Sequence, residues 1–333
     1  MNPFVDSLIR QTIENLRLME AFVTAPLGLY SDIKMLRESL PFPEAAELPR
    51  DELQRRRAEY GSLTTAPGAL VLDAIDSTRA AISALSRVNG IAEADSLRDW
   101  MPRALRVLAR AEQRTAGELR AEIAKAVTGL YVIVDPEASR DRPVLEVAEA
   151  SLKGGVKVLQ LRDKTQDKGN VLPIAAKLRQ MCHDHGALFI MNDHADLARA
   201  CDAHGLHVGQ TDLPVAEARK VLTRRQIVGR SNNGVQESLE SQAQGADYIA
   251  VGAIYRTGTM GKGARTALGP DMIRKVKEQV SAPVVAIGGI NADNIADVAR
   301  AGADCICVVS AVTFADDPES AARHLVELIE SAR

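Results

Sequence analysis

A chain of 333 residues with an apolar fraction of 46% is long for one domain and has ample material for a hydrophobic core, so two domains are expected. Its 41 basic and 44 acidic residues leave a net charge of -3, which argues against nucleic acid or an anionic membrane as a partner. No apolar run approaches the roughly 18 to 20 residues of a bilayer span, and the start, Met1 to Asp6, lacks the basic and apolar regions of an export signal, so a cytoplasmic protein is expected.

The first part of the chain has no alternating apolar pattern. Val5, Leu8, Ile9, Ile13, Leu16, Met19 and Val23 fall three or four apart, and so do Val71, Ile75, Thr78, Ile82, Leu85 and Val88, which is the spacing of helices with one buried face. The second stripe stops before Gly90, which suits a cap after Asn89. A third stretch runs from Leu97 through Met101, Leu105 and Leu108 to Leu119 and Ile123. Leu40-Pro41-Phe42-Pro43 and Ala66-Pro67-Gly68 separate helices. Arg55-Arg56-Arg57 reads as the solvated face of a helix, with an anion site as the alternative. Residues 1–126 are therefore expected to form a small all-helical domain, followed by a second domain over 127–333. No Gly/Ser/Pro-rich linker separates them, which favours a docked helical domain over a tethered one.

From Thr128 onward, short Val/Ile/Leu runs alternate with stretches of helical length, the pattern of βα units and a parallel sheet. The spacing predicts strands over Gly129–Val134, Val156–Leu161, Ala187–Met191, Gly205–Val208, Gln226–Gly229, Tyr248–Val251, Val284–Ile287 and Cys305–Val309. Helices are expected from near Pro143, Gly169, Asp193, Pro214, Val235, Pro270, Asn291 and Pro318, the prolines suiting first-turn positions. Eight such units fit a (β/α)8 barrel, an α/β fold of TIM type, with a doubly wound open sheet as the alternative. In such barrels the site lies where the strands end, at their C-terminal side.

Polar groups recur at those ends. Gln160, Arg162 and Lys164 are spaced by two and share a face while the chain stays extended. Such a row suits a diphosphate, because an arginine fork binds two oxygens and lysine adds a point charge; a salt-bridged strand exit is the other reading. Asn192-Asp193 and Asp212 put two carboxylates on adjacent strand exits, about 5 Å apart, close enough to share Mg2+ with substrate phosphates. As an alternative, Asp193 caps the next helix. Gly288-Gly289 and Val309-Ser310 follow the last two strands, where barrels build phosphate cradles from backbone amides. The connection Gly252 to Arg265 is rich in glycine, hydroxyl and positive charge and reads as a lid, although it lacks the spacing of a Walker loop. His183 and His185 lie two apart on a helix and read as surface residues. Cys305 and Cys307 read as buried packing residues, and no C-x-x-C pair points to disulfides.

Taken together, Gln160-Leu161-Arg162-Asp163-Lys164, Met191-Asn192-Asp193, Leu206 to Asp212, Gly229-Arg230-Ser231, Asp247 to Gly252 with Ile254-Tyr255 and Thr257-Gly258-Thr259, Pro283 to Ile290, and Val309-Ser310 resemble the thiamine phosphate synthase family, in its order and near its spacing. The resemblance implies a transferase that condenses hydroxymethylpyrimidine diphosphate with hydroxyethylthiazole phosphate to give thiamine phosphate and pyrophosphate. By motif position, Gln160, Leu161, Arg162, Asp163, Lys164, Asn192 and Ser231 would hold the pyrimidine diphosphate. Asp193 and Asp212 would hold Mg2+, and Thr257, Gly258, Thr259, Gly289, Val309 and Ser310 would receive the thiazole phosphate. Arg162, Lys164, Ser231 and Lys262 are the expected catalytic residues. The implied mechanism is dissociative loss of pyrophosphate, which needs no side-chain nucleophile. One departure stands out: the family's lysine after Thr-x-Thr is Met260 here, and Lys262 is read as its replacement, with Arg265 or weakened activity as alternatives. A thiazole tautomerase on the same barrel would not need the diphosphate row or the aspartate pair; a non-catalytic pyrimidine-diphosphate sensor would bind without turnover. The helical half faintly resembles a domain fused to some family members, and an interaction or homo-oligomerisation module is its expected role.

Overall fold

The computed structural model of the protein describes residues 3–22, 29–49, 51–61, 67–88, 94–258 and 266–333. Val23, Asn89 and Gly90 from the helical stripes, and Thr259 to Arg265 from the long connection, lie outside them. The chain divides into two compact units, Met1–Leu119 and Arg120–Arg333.

The first unit contains α1 (Pro3–Phe22), α2 (Leu29–Glu38), α3 (Pro43–Ala46), α4 (Glu52–Gly61), α5 (Pro67–Leu85) and most of α6 (Ala94–Ala124). Its core joins Val5, Ile9, Ile13, Leu16 and Met19 of α1 to Val71, Ile75, Ile82 and Leu85 of α5, the two stripes read from the sequence. Thr12 and Thr78 are buried in this apolar face because each hydroxyl donates to the carbonyl one turn back, of Leu8 and Ala74, at 2.8 and 2.7 Å. On α6 the buried positions include Leu97, Trp100, Ala104, Val107, Leu108 and Ala111, whereas Leu105 is exposed. The face is thus centred on Trp100, whose indole N–H donates to the Leu36 carbonyl at 2.9 Å. Inside the unit, Arg37 is fully buried with Glu20 and also donates to the Ala45 carbonyl. The arginine run departs from a simple solvated face. Arg55 is well exposed, but Arg56 pairs with Glu52 and with Glu14 of α1, and Arg57 donates to the Ala21 carbonyl.

In the second unit, β1 (Gly129–Val134), β2 (Val158–Leu161), β3 (Leu188–Asn192), β4 (Gly205–Val208), β5 (Ile227–Asn232), β6 (Tyr248–Gly252), β7 (Val284–Ile287) and β8 (Cys305–Val308) pair in order and in parallel. Pairing of β1 with β8 closes the barrel, which rules out the open sheet. The intervening helices are α7 (Val144–Lys153), α8 (Lys168–Asp184), α9 (Ala195–Ala200), α10 (Val215–Val221), α11 (Val235–Ala243), α12 (Asp271–Lys277) and α13 (Ile295–Arg300); α14 (Ser310–Thr313) and α15 (Pro318–Ala332) follow β8. Side-chain alternation separates two cores. Leu130, Val132 and Val134 of β1 pack outward with the helices, whereas Tyr131 and Ile133 join Val158, Ile190, Ile227, Tyr248, Val285, Cys305 and Cys307 inside the barrel.

Strand β5 extends three residues beyond its apolar run, because Arg230, Ser231 and Asn232 still pair with Ile249, Ala250 and Val251. One glycine is demanded by the interior: a Cβ at Gly229 would lie 1.9 Å from the Tyr248 ring. Gly229→Ala is expected to cost about 1 to 3 kcal/mol of unfolding free energy through overpacking, measured by urea denaturation; an unchanged midpoint would show that the ring has room to move.

Candidate active site

Barrel strands that point a residue inward point the residue two further along inward as well, so polar residues near the C-terminal ends of these strands converge on the axis. Gln160 of β2, Asn192 of β3, His207 of β4 and Ser231 of β5 line a cavity of about 440 Å3 together with Arg162, Lys164, Asp193, Asp212, Thr257, Gly258, Gly289, Val309 and Ser310. All of these except His207 are expected site residues, and they meet at one hollow. Leu161 and Asp163, which the motif grouped with them, do not line it. Leu161 faces the outer core by strand alternation. The Asp163 carboxylate is turned back on its own loop, accepting from the Thr165 amide and hydroxyl, each at 2.9 Å, and from the Gln166 amide and side chain at 3.1 and 2.7 Å. Burial opposes its ionisation, but those bonds hold its pKa below the ordinary value. Thr259 and Lys262 lie outside the described residues.

The row of three is extended only as far as Leu161, yet all three of its members reach the cavity. Arg162 pairs with Asp135, a fully buried carboxylate just past β1 that also accepts from the Glu137 amide at 2.9 Å. Lys164 Nζ stands 3.0 Å from Asp193 Oδ2. Asp193 has a φ of 57°, in the left-handed region, and α9 begins at Ala195 without a side-chain cap, so Asp193 faces the cavity and does not cap the helix. Its pKa is raised, first by burial and then by its hydrogen bond and charge contact with Asp212, against the lowering effect of Lys164. Asp212 Oδ2 in turn accepts the Gly209 amide at 2.9 Å. Among the described residues no group of three His, Cys, Asp or Glu side chains is placed to hold a metal. A facing, mutually repelling aspartate pair still fits Mg2+, which is commonly bound through one or two carboxylates and completed by substrate phosphates.

On the opposite side, Gly288 and Gly289 have φ of 103° and 67°, and a Cβ on Gly289 would lie 2.5 Å from the Arg256 carbonyl oxygen. Both requirements select glycine and bring the backbone against the segment that carries Thr257. The short helix α14 starts at Ser310 with its N-terminal turn at the cavity. The arrangement sets Gly288, Gly289, Val309 and Ser310 at the ends of β7 and β8 against a mixed-charge side at the ends of β2 to β4.

Sequence reasoning did not assign functions to Tyr131, Asp135, His207 and Tyr248. Tyr131 OH donates to Gln160 Oε1 at 2.5 Å, and Gln160 Nε2 donates to Asn192 Oδ1 at 2.9 Å. His207 lies between Tyr248 OH (3.1 Å) and Ser231 Oγ (2.9 Å). Burial lowers the pKa of His207 to about 4, although Asp212 acts in the opposite direction, and burial likewise lowers His204 to about 4. An unfolded chain binds these protons from pH 6.5 downward, so their contribution to stability is complete above 6.5 and is lost as the pH falls toward 4. Unfolding free energy is expected to drop below pH 6.5 by up to about 1.4 kcal/mol per pH unit for each group, and His207→Gln should flatten that slope in denaturation curves. The four cysteines are free and buried, two of them inside the barrel. His183 is largely exposed and His185 partly so.

Residues 130–312 match the model of the family described as Thiamine monophosphate synthase. The chain is similar to the thiamine-phosphate synthase of Methanospirillum hungatei, 43% identical over 201 residues, which covers 60% of this chain and 97% of that protein. It is similar to the enzyme of the same name from Shouchella clausii, 44% identical over 203 residues, covering 61% and 97%. Among solved structures, thiamine phosphate pyrophosphorylase from Pyrococcus furiosus superposes with a TM-score of 0.58 at 34% identity, over 63% of this chain and 98% of that one.

Proposed function

The chain belongs to the thiamine monophosphate synthase family and is a transferase of that kind, and we propose that its barrel condenses hydroxymethylpyrimidine diphosphate with hydroxyethylthiazole phosphate by dissociative loss of pyrophosphate. The observation that carries this reading is the meeting of Arg162, Lys164, Asp193 and Asp212 at one side of a single cavity with Gly289, Val309 and Ser310 at the other.

In this reading Arg162 and Lys164 bind the diphosphate and balance the charge that grows on it as the C–O bond breaks. Asp193 and Asp212 hold Mg2+, which when bound supplies further charge neutralisation on the leaving group. Gln160, Asn192 and Ser231 orient the pyrimidine, whose electrons stabilise the resulting cation. Thr257, Gly258, Gly289, Val309 and Ser310, with Thr259, anchor the thiazole phosphate so that the ring nitrogen meets that cation in line. Lys262, displaced by two residues from the family's lysine position, adds charge to the same diphosphate, and Lys262→Ala is expected to reduce kcat while Met260→Lys is tolerated; an unaffected Lys262→Ala enzyme would remove Lys262 from the site. The aspartate pair and the Arg162–Lys164 row are what set this reading apart from an isomerase on the same barrel.

The test is pyrophosphate release from purified protein. Release only when both substrates and Mg2+ are present supports the reading; turnover undiminished by chelation would exclude the metal, and tight binding of the pyrimidine diphosphate without turnover would make the barrel a sensor. Among the described residues no helix is long and apolar enough to cross a membrane. For the helical unit we propose self-association, which sedimentation of the full chain would reveal.

A further inference from the structure

Six side chains stand in one polar series across the barrel: Asn192, Gln160, Tyr131, Tyr248, His207 and Ser231. A phenol carries one proton, so each donor in such a series constrains the next. Tyr131 gives its proton to Gln160 Oε1 at 2.5 Å, which leaves its oxygen an acceptor only. Tyr248 then has one proton for two acceptors, the Tyr131 oxygen at 3.4 Å and His207 Nδ1 at 3.1 Å. The first distance exceeds the ordinary O–H···O range, so the proton goes to His207.

An imidazole that accepts at Nδ1 and is neutral carries its hydrogen on Nε2. Nε2 lies 2.9 Å from Ser231 Oγ, so the serine oxygen receives that hydrogen and its own O–H is directed elsewhere, toward the cavity it lines. The backbone is built for this contact. His207 and Tyr248 both pair with Gly229 from opposite sides, and the absence of a side chain there lets their rings stack across β5 with centroids 5.8 Å apart.

We propose that Tyr248 is a positioning residue that fixes the Nε2–H tautomer of His207 and thereby makes Ser231 a hydrogen-bond donor to the bound ligand, so that His207 does not act as a base toward Ser231. The proposal rests on the reading that the cavity takes a pyrimidine diphosphate, and it specifies the ligand atom: an acceptor with an in-plane lone pair, such as a ring nitrogen. The far end of the series has the same polarity, since the carbonyl oxygens of Gln160 and Asn192 are both engaged within it.

The tautomer is read directly from long-range proton–nitrogen NMR of the full-length protein labelled with 15N-histidine. The His207 signal is assigned among the six histidines by its loss in His207→Gln. The wild type at pH 7 should show the Nε2–H pattern, and Tyr248→Phe should move it toward Nδ1–H while raising KM for the pyrimidine diphosphate roughly tenfold with a smaller change in kcat. An Nδ1–H pattern in the wild type, which needs no variant to fold, would overturn the proposal, as would a tautomer unmoved in Tyr248→Phe. Because the spectrum is recorded without substrate, an active enzyme with Nδ1–H defeats the tautomer assignment alone, whereas an inactive wild type with Nε2–H defeats the substrate reading alone.

Discussion

Asp193→Asn is expected to lower kcat roughly 100- to 1,000-fold while raising the temperature at which the substrate-free protein unfolds. The two effects share one origin. Asp193 is held against Asp212 in a half-buried position, and its pKa is raised by burial and by that neighbour. A raised carboxyl pKa means that the folded state gains stability from the protonated form below pH 3.8 and loses it as the pH rises through the folded value, so the ionised pair is a liability at neutral pH. Asparagine removes the repulsion and tolerates the positive φ of this position. It also removes half of the proposed cation site. Calorimetry in the presence of a chelator, beside steady-state rates with Mg2+, checks both halves; a variant that is active, or that melts earlier than the wild type, would show that the pair is not held for a metal.

Arg162→Met is expected to destabilise the barrel by about 3 kcal/mol and to abolish measurable turnover. The stability loss arises because Asp135, 1% exposed, would lose its cation. The hydrogen bond from the Glu137 amide remains, which places the cost at the lower end for a broken buried pair. Combining it with Asp135→Asn should restore most of the stability and none of the activity, and denaturation of the four proteins in the cycle measures that coupling. Arg162→Lys should fall between, since an ammonium offers a point charge where Asp135 and the proposed diphosphate would meet a planar fork.

Much of the barrel was legible because burial on both faces of a parallel strand leaves an apolar run that polar helices interrupt. The bounds of β1, β4 and β7 coincide with those runs. The end of β5 does not, since Arg230 to Asn232 are polar at the cavity end of the strand. The charged residues that line the cavity were legible for the same reason in reverse: Arg162, Lys164, Asp193 and Asp212 interrupt apolar texture at strand exits. Adjacency in sequence misled at Leu161 and Asp163, where strand alternation and a closed loop turn the side chains away. Tyr131 falls in an expected strand and Tyr248 in an expected strand and a family-like stretch, but sequence reasoning assigns neither a role. Their hydroxyls meet because β1 and β6 face each other across the closed interior, a relation set by barrel closure that no local spacing encodes. In the helical unit, Trp100 and Ala104 of the buried α6 face were absent from the stripe read there, which shifted it onto the exposed Leu105.

The decisive measurement is an anomalous-scattering map from crystals of the full chain soaked with Mn2+ and pyrophosphate. The expected result is a single strong cation peak between the carboxylates of Asp193 and Asp212, with diphosphate oxygens shared between that cation, Arg162 and Lys164. Diphosphate bound away from Arg162, or a cation that leaves both aspartates unliganded, would contradict the claim that the ends of β2 to β4 are built to receive a departing diphosphate.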